Sequence, residues 1–198
     1  MRNPDERSSP KWTVLMVATV CIFCTAGIAY ALLRNDPVKQ LVMQLQHDDA
    51  TLRYKAAKKL EELGPNASGA VEALAIALSD SDLRVRYRSA KALSTMEELA
   101  LPALPSLVTG LSDVDRDVRY YCAKCIYKLG DEAEPCRDAV LAALDDKDPD
   151  IRRYLVKALA DIGEDNEATL VAVKKLQNDS NSQVREAAKD ALEELQSE

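Results

Sequence analysis

The apolar positions of this chain fall into two regimes. From Trp12 to Leu33 it runs 22 residues without a charge, WTVLMVATVCIFCTAGIAYALL, between Lys11 and Arg34. Beyond that run the apolar residues recur with helical spacing inside a longer period. Leu52, Val85, Val118, Ile151 and Val184 stand 33 residues apart. Eight residues after each comes Leu60, Leu93, Ile126, Leu159 or Leu192, and three further on Leu63, Met96, Leu129, Ile162 or Leu195. Apolar residues at i, i+8 and i+11, with mostly small ones at i+4, trace one face of a four-turn helix.

A shorter apolar helix precedes each of these, visible in VEALAIALSD, LPSLVTGLSD and RDAVLAALDD. Asp49, Asp82, Asp115, Asp148 and Asn181 lie between the two helices and suit the N-cap of the second, with Pro149 in a first-turn position. Gly64, Gly130 and Gly163 fall just past the second helix, where a left-handed residue ends it. The pattern predicts five helical hairpins and an all-α protein. Such hairpins cannot bury their apolar faces alone and must stack, with polar faces at the ends. The closing segment QVREAAKDALEELQSE is acidic enough for an exposed end.

A unit such as ALPALPSLVTGLSDVDRDVRYYCAKCIYKLG resembles the HEAT repeat family, in particular the short PBS-lyase HEAT-like form. The resemblance covers residues 38 to 195. Ankyrin and tetratricopeptide repeats have similar periods, but neither TPLHxA nor a WxxLG start is present. The resemblance implies a right-handed α-solenoid whose second helices line a concave surface. It also implies a structural ladder between adjacent repeats, built here from Arg53, Arg86, Arg119, Arg152 and Arg185 with Asp49, Asp82, Asp115 and Asp148, each Asp four residues before its Arg. The expected organisation is a polar tail over 1–11, a transmembrane helix over 12–33, a short linker over 34–37 and the repeat domain over 38–198.

At about 1.5 Å per residue the uncharged run is about 33 Å long, enough for a hydrocarbon core of about 30 Å. Trp12 and Tyr30 stand near its two ends, where amphipathic rings favour the headgroup level. The competing reading is a cleaved signal peptide, with Ala29-Tyr30-Ala31 as a small-x-small site, but the run exceeds the usual h-region. The expectation is a single-pass membrane protein. Arg2, Arg7 and Lys11 before the span, against Arg34 and Lys39 after it, favour a C-terminal domain on the non-cytoplasmic side.

A formal charge of -7 argues against general nucleic-acid binding, which depends on neutralising phosphates. The charge is segregated: the five second helices hold 17 basic and 9 acidic residues, so the remainder is strongly acidic. Tyr54, Tyr87 and Tyr120 share one repeat position, and Lys58, Lys91, Lys124 and Lys157 follow one turn on. This Tyr/Lys stripe suits an acidic protein surface or an extended peptide on the concave face; the plainer reading is a solvated helix face. Glu186 and Asp190 replace Tyr and Lys in the last copy, which a phosphate track would not do.

The chemistry of sites is sparse. Cys122, Cys125 and Cys136 occupy mostly small core positions of the repeat, and one CxxC with a distant Cys falls short of four thiolate ligands. The lone histidine, His47, aligns with Asp80, Asp113, Asp146 and Asp179 and reads as a turn residue. No catalytic residue, cofactor or metal is expected. The resulting expectation is a non-enzymatic, membrane-anchored scaffold or accessory subunit of a membrane complex. The alternatives implied by the resemblance are a phycobilisome-lyase-like enzyme or chaperone for chromophore attachment and, ranked below it, a HEAT-like nucleic-acid-binding protein.

Overall fold

The computed structural model describes residues 36–163 and 167–196. Each capping residue opens a helix. The Asp49 carboxylate accepts from the Thr51 N–H at 2.7 Å, Asp82 from Arg84 at 2.8 Å, and Asp115 from Asp117 and Val118 at 2.9 and 3.1 Å. Asp148 and Asn181 repeat the arrangement. The hairpins are α1 (Pro37–Leu45) with α2 (Ala50–Leu63), α3 (Val71–Ala77) with α4 (Leu83–Thr95), α5 (Leu104–Gly110) with α6 (Arg116–Lys128), α7 (Arg137–Ala143) with α8 (Pro149–Ile162), and α9 (Glu167–Leu176) with α10 (Ser182–Leu195). The described residues contain no strand.

The second helix of each hairpin packs on the second helix of the next, from α2 through α4, α6 and α8 to α10. Val85, Val118 and Val184 are fully buried, as are Leu60, Leu93, Ile126 and Leu159, while Ala56, Ala90, Ala123 and Ala188 let the helices approach closely. The chain leaves four second helices through left-handed residues: Gly64, Gly130 and Gly163 at φ 53, 60 and 67, and Glu97 at φ 54. The repeat pattern did not disclose the next step. Residues Gly64–Ala70, Glu97–Ala103 and Gly130–Cys136 form 3-10 segments, which shorten α3, α5 and α7 to seven residues each.

The ladder differs from the expected one. Asp49, Asp82, Asp115 and Asp148 are N-caps, and the carboxylates that meet the arginines are Asp80, Asp113, Asp146 and Asp179. Arg53 donates through Nε and Nη2 to Asp80 at 2.6 and 2.8 Å, Arg86 to Asp113 at 2.8 and 3.3 Å, Arg119 to Asp146 at 2.7 and 3.3 Å, and Arg152 to Asp179 at 2.8 and 2.7 Å. Each partner lies 27 residues ahead, in the next repeat's turn. The Asp four residues before each ladder Arg instead caps its own helix, as Asp115 does by accepting from the Asp117 and Val118 N–H groups, and Asp148 combines its cap with a two-point bond from Arg116 of the preceding repeat at 2.8 and 3.2 Å. Meanwhile Nη1 donates to a carbonyl of the arginine's own turn, as Arg119 does to Asp113 O at 3.0 Å.

The turn position aligned with His47 therefore has a fixed task, contrary to its reading as a mere turn residue. Asp80, Asp113, Asp146 and Asp179 each also accept the N–H two residues on, at 2.8 Å. In the first copy His47 Nδ1 accepts that bond from Asp49 at 3.0 Å. There the carboxylate is dispensable, since none of the five ladder arginines lies in a repeat before it. At the other end Arg185 makes the carbonyl bonds to Asp179 and Ser180 but meets no carboxylate among the described residues.

The expected tail, span and linker over residues 1–35 lie outside the described residues. Among the described residues no helix is long and apolar enough to cross a membrane.

The Arg–carboxylate fork is two-point and mostly shielded, with Arg119 and Asp146 side chains 16% and 9% exposed. Arg119→Ala should lower the unfolding free energy by about 2 kcal/mol, the range for hydrogen bonds to charged groups. Arg119→Lys, which cannot hold the fork and the carbonyl together, should lose about half of that. Arg185→Ala should change stability by less than about 0.5 kcal/mol; equal losses at 119 and 185 in denaturant melts would contradict the ladder's role. A second expectation concerns Gly110, where a Cβ would collide with Cys122 Sγ. Gly110→Ala should destabilise by about 1–3 kcal/mol, and adding Cys122→Ala should recover most of the loss in a double-mutant cycle.

Candidate functional site

All six tyrosines among the described residues lie on the second helices, and five of them form consecutive ring contacts. Tyr87 meets Tyr121 edge-on at 5.7 Å between centroids, Tyr121 meets Tyr120 at 5.0 Å, Tyr120 meets Tyr154 at 5.4 Å, and Tyr154 meets Tyr127 at 5.7 Å. The chain of rings crosses α4, α6 and α8. Such pairs favour edge-to-face geometry because the positive ring edge meets the negative face.

Cations cover these rings. Arg84 and Arg88 each stand 5.6 Å from the Tyr54 centroid, Arg88 5.2 Å from Tyr87, Lys91 5.8 Å from Tyr121, and Arg116 4.9 Å from Tyr120. Further along, Arg153 lies 4.9 Å from Tyr154 and Lys157 5.7 Å from Tyr127. The Arg88 guanidinium also donates to the Tyr54 hydroxyl at 3.5 Å. Burial, aided by Tyr154, pushes the Tyr120 hydroxyl up to about 12.

The stripe residues named from the sequence differ in their freedom. Tyr54, Tyr87 and Tyr120 are half-buried. Lys91 is committed: it donates to Glu61 at 2.9 Å, and Arg88 donates to the same carboxylate at 2.7 Å. Burial by itself would raise the Glu61 carboxyl, but those two bonds hold it below the usual carboxylate range. Lys58 is exposed and faces Glu62 across one helical turn at 3.9 Å. Lys124 is half-exposed and, like Lys157, makes no ion pair among the described residues.

Sequence reasoning missed Tyr121, Tyr127 and Tyr154 as well as Arg84, Arg88 and Glu61. The signal was available one column over. Arg88, Tyr121 and Tyr154 share a repeat position, and Tyr127 occupies the position of Glu61. Reading only the residue beside each ladder arginine hid the half of the face supplied by its neighbours.

Beyond the rings, a pocket of about 150 Å³ opens between α8 and α10. Tyr127 and Lys157 flank it, Asp161, Asp190 and Glu194 supply carboxylates, and alanines 160, 187 and 191 leave room. Burial raises the Asp161 carboxyl above its usual value, the Glu194 charge adds to this, and Lys157 opposes it. The cysteines play no part in this face. Burial lifts the Cys122 thiol far above its ordinary range, Cys125 to about 12 and Cys136 to about 11, so the nucleophilic thiolate is disfavoured at all three.

Comparison with known proteins agrees with the repeat geometry. No curated protein matches the sequence. An engineered protein of known structure is similar with 23% identity over 81% of this chain and 79% of its own, at a TM-score of 0.69. A designed armadillo repeat protein, solved in complex with the peptide (KR)4, has 21% identity over 78% of this chain and 80% of its own, at 0.68. The CpcE–CpcF complex of phycocyanin lyase from Nostoc sp. PCC7120 has 25% identity over 81% of this chain and 65% of its own, at 0.62. The family model for HEAT repeats matches residues 38–120 and 104–193. With that match over the five capped hairpins, the chain belongs to the HEAT repeat family.

Proposed function

We propose that the chain is a non-enzymatic interaction scaffold whose second-helix face, the concave side in HEAT-like solenoids, holds an acidic protein surface or an extended protein segment. The observation that carries this reading is the run of edge-to-face tyrosines covered by Arg and Lys from α4 to α8. Rigid amphipathic rings beside cations are the composition of interface hot spots. The fold itself supports binding only by analogy.

A second reading, a lyase-like protein acting on a chromophore, is favoured by one observation, the 25% identity to the CpcE–CpcF complex. We also propose that residues 12–33 tether the scaffold to a membrane as a subunit or assembly factor of a membrane complex. That proposal rests on the 22-residue uncharged run with Lys11 and Arg34 at its ends.

Native purification in mild detergent tests the scaffold reading. A stoichiometric companion protein should accompany the chain and be lost from a Lys58→Glu, Lys124→Glu variant, whose changes lie outside the core. A companion retained in full by that variant and by Tyr54→Ala, Tyr87→Ala, Tyr120→Ala would sink it. Transfer of a bilin to an antenna protein by the purified chain would favour the second reading instead. The tether predicts that the chain stays with the membrane pellet after alkaline carbonate extraction, and that Val17→Arg with Ile22→Arg moves it to the supernatant; recovery of the unaltered chain in the supernatant counts against it.

A further inference from the structure

One column of the second-helix face changes sign along the stack. In successive repeats the three residues at i, i+4 and i+8 read Tyr54, Lys58, Glu62; Tyr87, Lys91, Thr95; Tyr120, Lys124, Lys128; Arg153, Lys157, Asp161; and Glu186, Asp190, Glu194. These positions share a helix face. The centre of the face, on α4 and α6, is cationic and aromatic. Its far end, on α10, is acidic throughout. The change happens at the pocket between α8 and α10, where Asp161 from one helix faces Asp190 and Glu194 from the other.

The pocket has the parts that a long cationic side chain needs. Tyr127 offers a ring against which an aliphatic stem packs, and alanines 160, 187 and 191 leave the space that a larger residue would fill. Among the described residues Lys157 is the one cation on the pocket wall, 5.7 Å from the Tyr127 centroid. Burial raises the Asp161 carboxyl there and the Glu194 charge adds to this. An added cation opposes both.

We propose that the face reads an extended peptide segment of mixed charge in a set direction, with carboxylates over the α4–α6 part of the face, where Lys124 makes no ion pair among the described residues while Arg84 and Arg116 already hold Asp82 and Asp148, and a Lys or Arg side chain in the Tyr127–Asp161–Asp190 pocket. This rests on the scaffold reading above and narrows its partner class from acidic to bipolar. Adjacent packed helices are about 10 Å apart, so the pocket lies about 15 Å from the α6 lysine and about 25 Å from α4. At about 3.3 Å per extended residue, the basic residue should stand about four to eight positions from the acidic ones.

Fluorescence anisotropy with the full chain and labelled synthetic 12-residue peptides tests this. The probes are two acidic residues and two basic residues six positions apart, in both orders, a peptide of the same composition with alternating charges, and a uniformly acidic peptide. One of the two blocked orders should bind at least tenfold more tightly than the alternating peptide. Asp161→Asn with Asp190→Asn should remove that advantage while leaving or improving the affinity for the uniformly acidic peptide, and the advantage should shrink with added salt. Equal binding of blocked and alternating peptides, or an advantage that survives the double variant, overturns the proposal while leaving the scaffold reading intact. If no peptide binds, or if Tyr87→Ala with Tyr120→Ala leaves every affinity unchanged, this inference falls, and the scaffold reading is decided by the companion protein in the native purification.

Discussion

The stack depends on one guanidinium placed between two turns. In each of four repeats Nη1 closes the arginine's own turn onto a carbonyl, while Nε and Nη2 grip the carboxylate of the following repeat. That carboxylate in turn accepts an N–H from the turn that carries it. Every group in the rung therefore has its partners, which is the condition under which a shielded charge pair stabilises rather than penalises a fold. Arg152 holds the Asp179 carboxyl below its usual range, as expected for such a contact. Because the acceptor lies 27 residues ahead of one arginine and six before the next, the rung also accounts for the constancy of the 33-residue period.

That constancy has a consequence on the neighbouring face of the second helices. When every repeat is held in the same relation to its neighbour, residues of one column line up across the stack. Rings at neighbouring columns then meet edge to face without further design, and the cations of one helix fall over the rings of another. Arg88 of α4 covers Tyr54 of α2, and Tyr121 of α6 meets Tyr87 of α4. The ladder and the aromatic face are thus two results of one registration. The charge along that face varies more from repeat to repeat: Arg88 and Lys91 bridge to Glu61 and Arg116 to Asp148, while Lys124 makes no ion pair among the described residues.

The interior uses the same economy of size. Small residues at the i+4 positions bring helices close, and the third hairpin goes furthest by setting Gly110 directly against the Cys122 sulfur. The buried thiols are consequently packing groups held in the neutral form. Glu97 marks the opposite case, where a residue with a Cβ adopts the left-handed turn that glycine fills in three other repeats. Its carboxylate lies 3.1 Å from Lys128, an exposed contact of small worth.

The sequence by itself determined the period, the five hairpins, the caps and the core, because each depends on local chemistry: which residue starts a helix, which ends it, which face is apolar. It also showed that tyrosines and lysines recur beside the ladder arginines. Only the tertiary structure decided partnerships. The Asp at the cap and the Asp two residues earlier look equally suited to the ladder arginine when read along the chain, yet all four ladder arginines that find a carboxylate take the earlier one, while the cap Asp accepts from its own helix and, at Asp148 alone among the described caps, from Arg116. In the same way Lys58, Lys91 and Lys124 are equivalent by spacing, while Glu61 engages Lys91 across the helix interface and Lys124 makes no ion pair among the described residues. Periodicity specifies positions within a repeat; which side chains meet between repeats follows from how the helices stack, and that information is carried by no single window of the chain.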